Sequence, residues 1–260
     1  MEKRTRNKPA REAKMTSGLR THSLFAVRVQ NAPYEHLLAA ARAAVAESPP
    51  RFTTYSHFSV LLDARRYAWL RALLNRAAVN VADGIGLRLA LRLLGARALA
   101  PVNATDFHHA LLDDCLQRGE RIYLLGGSAA AAAALPGLLA IRHPACEVLA
   151  HDGSIAVDDA ALIESIRDFA PDVLFLGLGS PLQFEWIERN LDDLGIPLTV
   201  ATGNFLEFLA GTRPRASRWM RAAGLEWLHR LAVEPSRLWR RYLLGIPRFV
   251  ALVIRERLLK

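Results

Sequence analysis

With 260 residues, 52% of them hydrophobic, the chain is long enough for one large α/β domain or a domain with an appendage. Its two cysteines, Cys115 and Cys146, form no CxxC pair and supply no disulfide framework, which favours a reducing, cytoplasmic setting. The charge of +9 is uneven: residues 1–20 hold seven Lys/Arg against two Glu, residues 213–260 hold twelve against three, and the stretch between is net acidic. Two basic ends on an acidic body suit an anionic surface, either nucleic acid or phospholipid.

The basic segment 1–22 has few apolar residues and reads as a disordered arm; no apolar h-region follows it, so it is not a secretory signal. From 23 to 212 short apolar runs alternate with helical stretches. Strands are expected at 77–83, 121–127, 146–153, 171–179 and 197–204, each closing in Gly, Asp or Asn. Buried strands separated by helices predict an α/β fold, a Rossmann-like, mostly parallel sheet with helices on both faces.

In such sheets ligands bind beyond the carboxyl ends of the strands. The run VNVADGIGLRLALRLLG (79–95) places Asp83 there, with Gly84 behind it, as either a turn or cap residue or a base at the mouth of a site. NATDF (103–107) puts Thr105 and Asp106 ahead of a helix, where capping accounts for at least one of them. His108 and His109 follow, but neighbouring helical residues point about 100° apart and share a metal poorly. No HExxH, DxD or GxSxG pattern appears.

LLGGSAA (124–130) sets Gly126, Gly127 and Ser128 between strand and helix. Their N–H groups suit an anion such as a diphosphate, or simply form an ordinary βα turn. The stretch is not a GxGxxG fingerprint, so a nicotinamide cofactor is disfavoured. In LGLGSPLQFEWI (176–187), Gly179 permits close backbone approach, Ser180 can cap, Pro181 suits the first helical turn, and Gln183 can reach a ligand.

From 213 onward the strand signal stops, and Pro235 and Pro247 are expected to divide the segment into three helices. In PSRLWRRYLLG, Arg237, Arg240 and Arg241 fall opposite Leu238, Trp239, Tyr242 and Leu243; Arg215, Arg218 and Arg221 likewise oppose Met220, Ala223, Trp227 and Leu231. Such helices either lie in a headgroup layer or pack on the body or a second subunit. No stretch reaches the roughly 20 apolar residues of a membrane span.

Read in order, these motifs resemble the WecG/TagA/CpsF family of bacterial glycosyltransferases (glycosyltransferase family 26). The resemblance rests on ADGIG (82–86), NATD (103–106), IYLLGGS (122–128), GLGSPLQFEW (177–186) and, above all, RASRWMRAAGLEWLHRLAVEPSRLWRRY (215–242). It covers roughly residues 25–245. It implies inverting transfer of a sugar from a UDP-sugar to a polyprenyl-diphosphate-linked saccharide on the cytoplasmic membrane face, with no metal and no cofactor. By resemblance Asp83 is the general base and Thr54 assists. Gly84, Thr105, Asp106, Gly126, Gly127, Ser128, Gly179, Gln183, Arg215, Arg218 and Arg221 form the donor site. Arg237, Trp239, Arg240 and Arg241 meet the membrane, and residues 213–260 become a membrane-association segment whose removal leaves a soluble core.

The chain departs from the family pattern at Pro101, Ala104, Glu207 and Ser217. These positions are expected to line the donor pocket and to favour a donor other than N-acetylmannosamine, among N-acetylmannosamine, its uronic acid and glucose. Rival readings are a non-catalytic sugar-nucleotide-binding component of a polysaccharide assembly and a nucleic-acid binder; no nucleic-acid motif supports the second. Self-association through the apolar helix faces is a further expectation.

Overall fold

A computed structural model describes residues 19–97 and 99–259, with the side chains of Ala222 and Arg237 outside the description. The expected arm therefore lies almost wholly outside the described residues. Its last residues are not an arm: a strand begins at Arg20.

The chain opens on a hairpin, β1 (Arg20–Leu24) and β2 (Val27–Asn31), followed by α1 (Tyr34–Glu47), β3 (Arg51–Ser56), α2 (Phe58–Arg66) and α3 (Ala68–Arg76). Next come β4 (Val79–Ala82), α4 (Gly84–Leu93), α5 (Ala104–Gln117), β5 (Ile122–Gly126), α6 (Ala129–Arg142) and β6 (Val148–His151). The body closes with α7 (Ala160–Phe169), β7 (Val173–Gly177), α8 (Leu182–Leu194), β8 (Leu198–Ala201) and α9 (Phe205–Leu209).

Among the described residues eight strands join one sheet in the order β1-β2-β4-β3-β8-β7-β5-β6, antiparallel only between β1 and β2. The five expected strands are β4 to β8, each trimmed at its ends. Three more, β1 to β3, were not anticipated. In β1 and β2 the polar residues Arg20, Thr21, Arg28 and Gln30 mask the pattern, and the hairpin turn uses Phe25 and Ala26 at φ 52° and 60° in place of glycine or asparagine. Packing explains that choice, because Phe25 is buried edge-on against Phe249, 5.8 Å away.

Helices cover both faces. Leu61, Leu70, Leu91, Phe184 and Ile166 pack on one side of the sheet, from α2, α3, α4, α8 and α7. Leu37, Phe107, Leu135 and Phe205, from α1, α5, α6 and α9, pack on the other. The fold is thus a three-layer α/β arrangement with a C-terminal helical segment.

That segment contains α10 (Arg218–Ala222), α11 (Glu226–Val233), α12 (Pro235–Trp239), a π-helical turn at Arg240–Leu244, and α13 (Gly245–Leu258). Pro235 opens α12 as expected. Pro247 breaks nothing: the π turn runs directly into α13, and its wider winding just ahead of Pro247 accommodates the ring and the missing N–H. Phe249 and Val253 of α13 belong to the core, alongside α2 and α4. Removing residues 213–260 would therefore uncover core side chains of α2 and α4.

Candidate active site

A cavity of about 690 Å³ opens at the carboxyl ends of β3 and β4, walled by α4, the start of α5 and the C-terminal helices. Asp83 lies on its wall. The Asp83 N–H donates to Ser56 O (2.9 Å), which extends the β3–β4 pairing by one residue and aims the next side chain off the sheet end. Asp83 occupies the cap position of α4 but makes no capping bond. Instead its Oδ1 accepts from the Ala104 N–H of α5 (2.9 Å). Gly84 follows at φ 84°, a value that favours glycine, and a Cβ there would meet no atom within 4 Å. Burial pushes the Asp83 carboxyl above its ordinary pKa. The Ala104 N–H and Arg230 oppose that rise, and Glu226 adds to it.

The other polar groups form a linked set. Asn103, not Thr105 or Asp106, caps α5: its Oδ1 accepts from the Thr105 N–H (2.8 Å) and the Asp106 N–H (3.4 Å). Asn103 Nδ2 donates to Glu226 (3.0 Å), which also pairs with Arg230 (3.2 Å). Asp106, freed from capping, holds Arg215 at 2.7 Å and Arg221 at 3.6 Å. The Nε atoms of Arg215 and Arg221 are buried with no partner among the described residues. Arg218 and Arg221 line the cavity itself. Asp106 and the three expected arginines are therefore brought together with Asp83, whereas Thr105 is buried.

Sequence reasoning passed over Asn103, Glu226, Arg230 and His57, all of which border the cavity. Asn103 carried a legible signal, since asparagine before a helix is a preferred cap. His57 did not. Burial, then Arg241 and Arg230, push its imidazole down to about 3, so it faces the cavity neutral.

Other expected site residues lie elsewhere. Thr54 is fully buried in β3, its hydroxyl unpartnered, and it does not border the cavity; the strand reaches the cavity only at His57. Gly126, Gly127, Ser128 and Gly179 do not border it either. The Ser128 N–H and hydroxyl are both taken by Glu207 (2.8 and 3.2 Å), so an anionic side chain already occupies the expected phosphate turn. At Gly126 a Cβ would stand 2.5 Å from the Gly177 carbonyl carbon, so this glycine serves strand-end packing.

Gln183 is buried, and its Oε1 accepts from the Gly203 N–H (3.1 Å), holding the turn after β8 rather than reaching outward. Ser180 provides no cap for α8; it joins Pro181 through a cis peptide. The four departures from the family pattern also do not share one pocket. Pro101 lines the cavity and Ala104 donates to Asp83, while Glu207 sits at the β5 turn and Ser217 precedes α10. His108 is buried against Tyr55 and Phe205, both ring nitrogens unpartnered, with its pKa pushed down to about 3 by burial. Among the described residues no group of three or more His, Cys, Asp or Glu is placed to hold a metal ion.

The C-terminal wheel splits three ways. Leu238 and Tyr242 are buried, so that part of the apolar face packs on the body. Trp239, Leu243 (61% exposed) and Leu244 (63%) remain outside, and the Arg240 guanidinium stacks over Trp239 at 5.2 Å. Arg241, expected at the membrane with its neighbours, lines the cavity instead. The Arg237 side chain lies outside the described residues. Among those residues no helix is long and apolar enough to cross a membrane.

A carboxylate at a strand's carboxyl end, facing a cleft walled by guanidinium groups, is the layout of a group-transfer enzyme on a doubly wound α/β sheet. Comparison with known proteins narrows this class. The family model described as "Glycosyl transferase WecG/TagA/CpsF family" matches residues 22–260, and the chain belongs to that family. Curated relatives named N-acetylglucosaminyldiphosphoundecaprenol N-acetyl-beta-D-mannosaminyltransferase, from Staphylococcus aureus strains NCTC 8325 / PS 47 and MRSA252, are each 30% identical over 182 residues. Those residues are 68% of this chain and 69% of each relative.

Proposed function

We propose that the chain transfers a sugar from a UDP-sugar to a polyprenyl-diphosphate-linked saccharide, with inversion and without a metal, Asp83 being the general base. The observation that carries this reading is the Asp83 carboxyl itself. It borders the cavity, is oriented by one backbone N–H, and is held at a raised pKa by burial. A raised pKa makes the ionised carboxylate a better proton acceptor.

In the step envisaged, an acceptor hydroxyl oxygen attacks the anomeric carbon as its proton passes to Asp83. The bond from that carbon to the UDP oxygen breaks, and the electron pair leaves on the β-phosphate. The guanidinium groups of Arg215, Arg218 and Arg221 are suited to that developing charge, and the unpartnered buried Nε–H groups of Arg215 and Arg221 are donors in need of an acceptor. Asp106 then positions these arginines rather than binding the donor. At the β5 turn, Glu207 repels phosphate and suits neutral donors, so the nucleoside's hydroxyl and imide groups fit Gly127 and Ser128 better than its diphosphate does.

The acceptor class is proposed from the relatives' printed name. Attachment to the inner face of the cell membrane is proposed from exposed Trp239, Leu243 and Leu244 beside Arg240. The test is Asp83→Asn, assayed by release of UDP in the presence of a polyprenyl-diphosphate-linked N-acetylglucosamine. A folded variant with unchanged turnover overturns the base assignment, and a wild type inert with every UDP-sugar tried favours the non-catalytic binding component.

A further inference from the structure

Among the described residues Arg241 has no hydrogen-bonded or ion-paired partner, unlike Arg215, Arg221 and Arg230, although its guanidinium lines the cavity. Its charge is felt by His57, Tyr55, Asp63 and Tyr242, on the β3 and α2 side. The charge of Arg215 is felt instead by Asp83, Tyr34 and His109, on the α5 side. The cavity thus carries cations on two sides, with Arg230, paired to Glu226, felt by groups of both.

The surroundings of the two sides differ. Arg241, Ile246, Val250 and Val253 all line the cavity from one continuous stretch of chain. The π turn at Arg240–Leu244 makes this alignment: its five-residue spacing brings residue 241 over residue 246, where a regular α-helical turn would rotate it off that face. Across from them on α4, Leu89 and Leu93 line the cavity while remaining 51% and 54% exposed. An unpaired guanidinium thus stands beside an apolar lip that leads out to solvent.

Resting on the transferase reading, we propose that Arg241 and the α4–α13 lip form the site for the acceptor's prenyl diphosphate. Arg241 takes the diphosphate, and the hydrocarbon leaves over Leu89, Leu93 and Val250. Of the two substrates only the lipid-linked one is an amphiphile; a UDP-sugar is polar throughout and has no use for an apolar lip beside its phosphates. The arginine pole at Asp106 is left for the donor, and Asp83 borders the same cavity.

The test compares binding of farnesyl diphosphate and of UDP to the full chain and to Arg241→Ala and Arg241→Lys. Wild type is expected to bind both probes together. Arg241→Ala should bind farnesyl diphosphate roughly 10- to 100-fold more weakly, the worth of one or two charge-assisted hydrogen bonds, with UDP within about twofold. Arg241→Lys should fall between, its point charge retained and its fork lost. Unchanged farnesyl diphosphate binding in Arg241→Ala overturns the site, as does an equal loss of UDP. So does a loss confined to sedimentation with phosphatidylglycerol vesicles, which would make Arg241 a headgroup contact. If farnesyl diphosphate binding depends on Arg241 while wild type ignores UDP, the site stands and the donor assignment falls.

Discussion

Two strand ends of one sheet each carry an acid beside a helix N-terminus, and the fold uses the two acids differently. At β5, Glu207 spends both carboxylate oxygens: one on the Ser128 N–H, the other on the hydroxyls of Ser128 and Thr212. At β4, Asp83 spends one oxygen on the Ala104 N–H and faces a cavity lined by guanidinium groups. An acid with both oxygens engaged is a clamp; one with an oxygen left over can take a proton. Position alone does not separate these roles, since both sit where ligands of such sheets bind. The count of satisfied partners does.

The largest expected effect tests the free acid. Asp83→Asn keeps an oxygen for the Ala104 N–H, so the fold should survive, while turnover falls by about 10²- to 10⁴-fold, the worth of a general base. Measuring kcat beside a thermal melt separates the two. Because burial raises the Asp83 pKa, the acid limb of the wild-type rate profile should lie above the ordinary carboxylate range and be missing from the variant's residual activity. The sign for stability is opposite. A raised folded-state pKa contributes stability that is full below the unfolded value and is lost as pH rises through the folded value. Asp83→Asn should therefore melt no lower than wild type at neutral pH, and higher if nothing else changes. A variant that melts lower would mark Asp83 as a clamp like Glu207.

A middle-sized effect is expected at Asp106. Asp106→Ala removes the partner of two guanidinium groups, and Arg215 is only 17% exposed. Donor KM should rise roughly tenfold through loss of arginine positioning, with kcat falling less. Steady-state kinetics in donor and acceptor separately would show this. A rise in acceptor KM alone would move the donor pole elsewhere.

Strands β4 to β8 were legible because each is a short apolar run closed by Gly, Asp or Asn, the pattern that burial on both faces imposes. β1 to β3 were not, for two physical reasons. Arg20, Thr21 and Arg28 lie on an edge hairpin that tolerates polar residues, and β3 carries Thr53 and Thr54 in the core, where residue type misreports burial. Asp83 and the arginines converging on Asp106 could be read from spacing and resemblance. The capture of Ser128 by Glu207 could not, because it joins residues 79 apart. Nor could the inward placement of Arg241, since a helical wheel assumes 3.6 residues per turn and the chain there winds as a π turn.

The smallest effect belongs to the clamp. Glu207→Ala removes the acceptors of the Ser128 N–H and hydroxyl and of the Thr212 hydroxyl, at a turn open to solvent, so water replaces much of what is lost. The net cost should be about 1 kcal/mol, a fall of roughly 2–4 °C in Tm for a chain of this size. kcat should stay within about twofold, since the carboxylate does not border the cavity where the proton moves. Donor KM should rise by less than at Asp106→Ala, where two guanidinium groups lose their partner at once. A collapse of kcat comparable to that of Asp83→Asn would show that counting satisfied oxygens does not distinguish a clamp from a base in this fold.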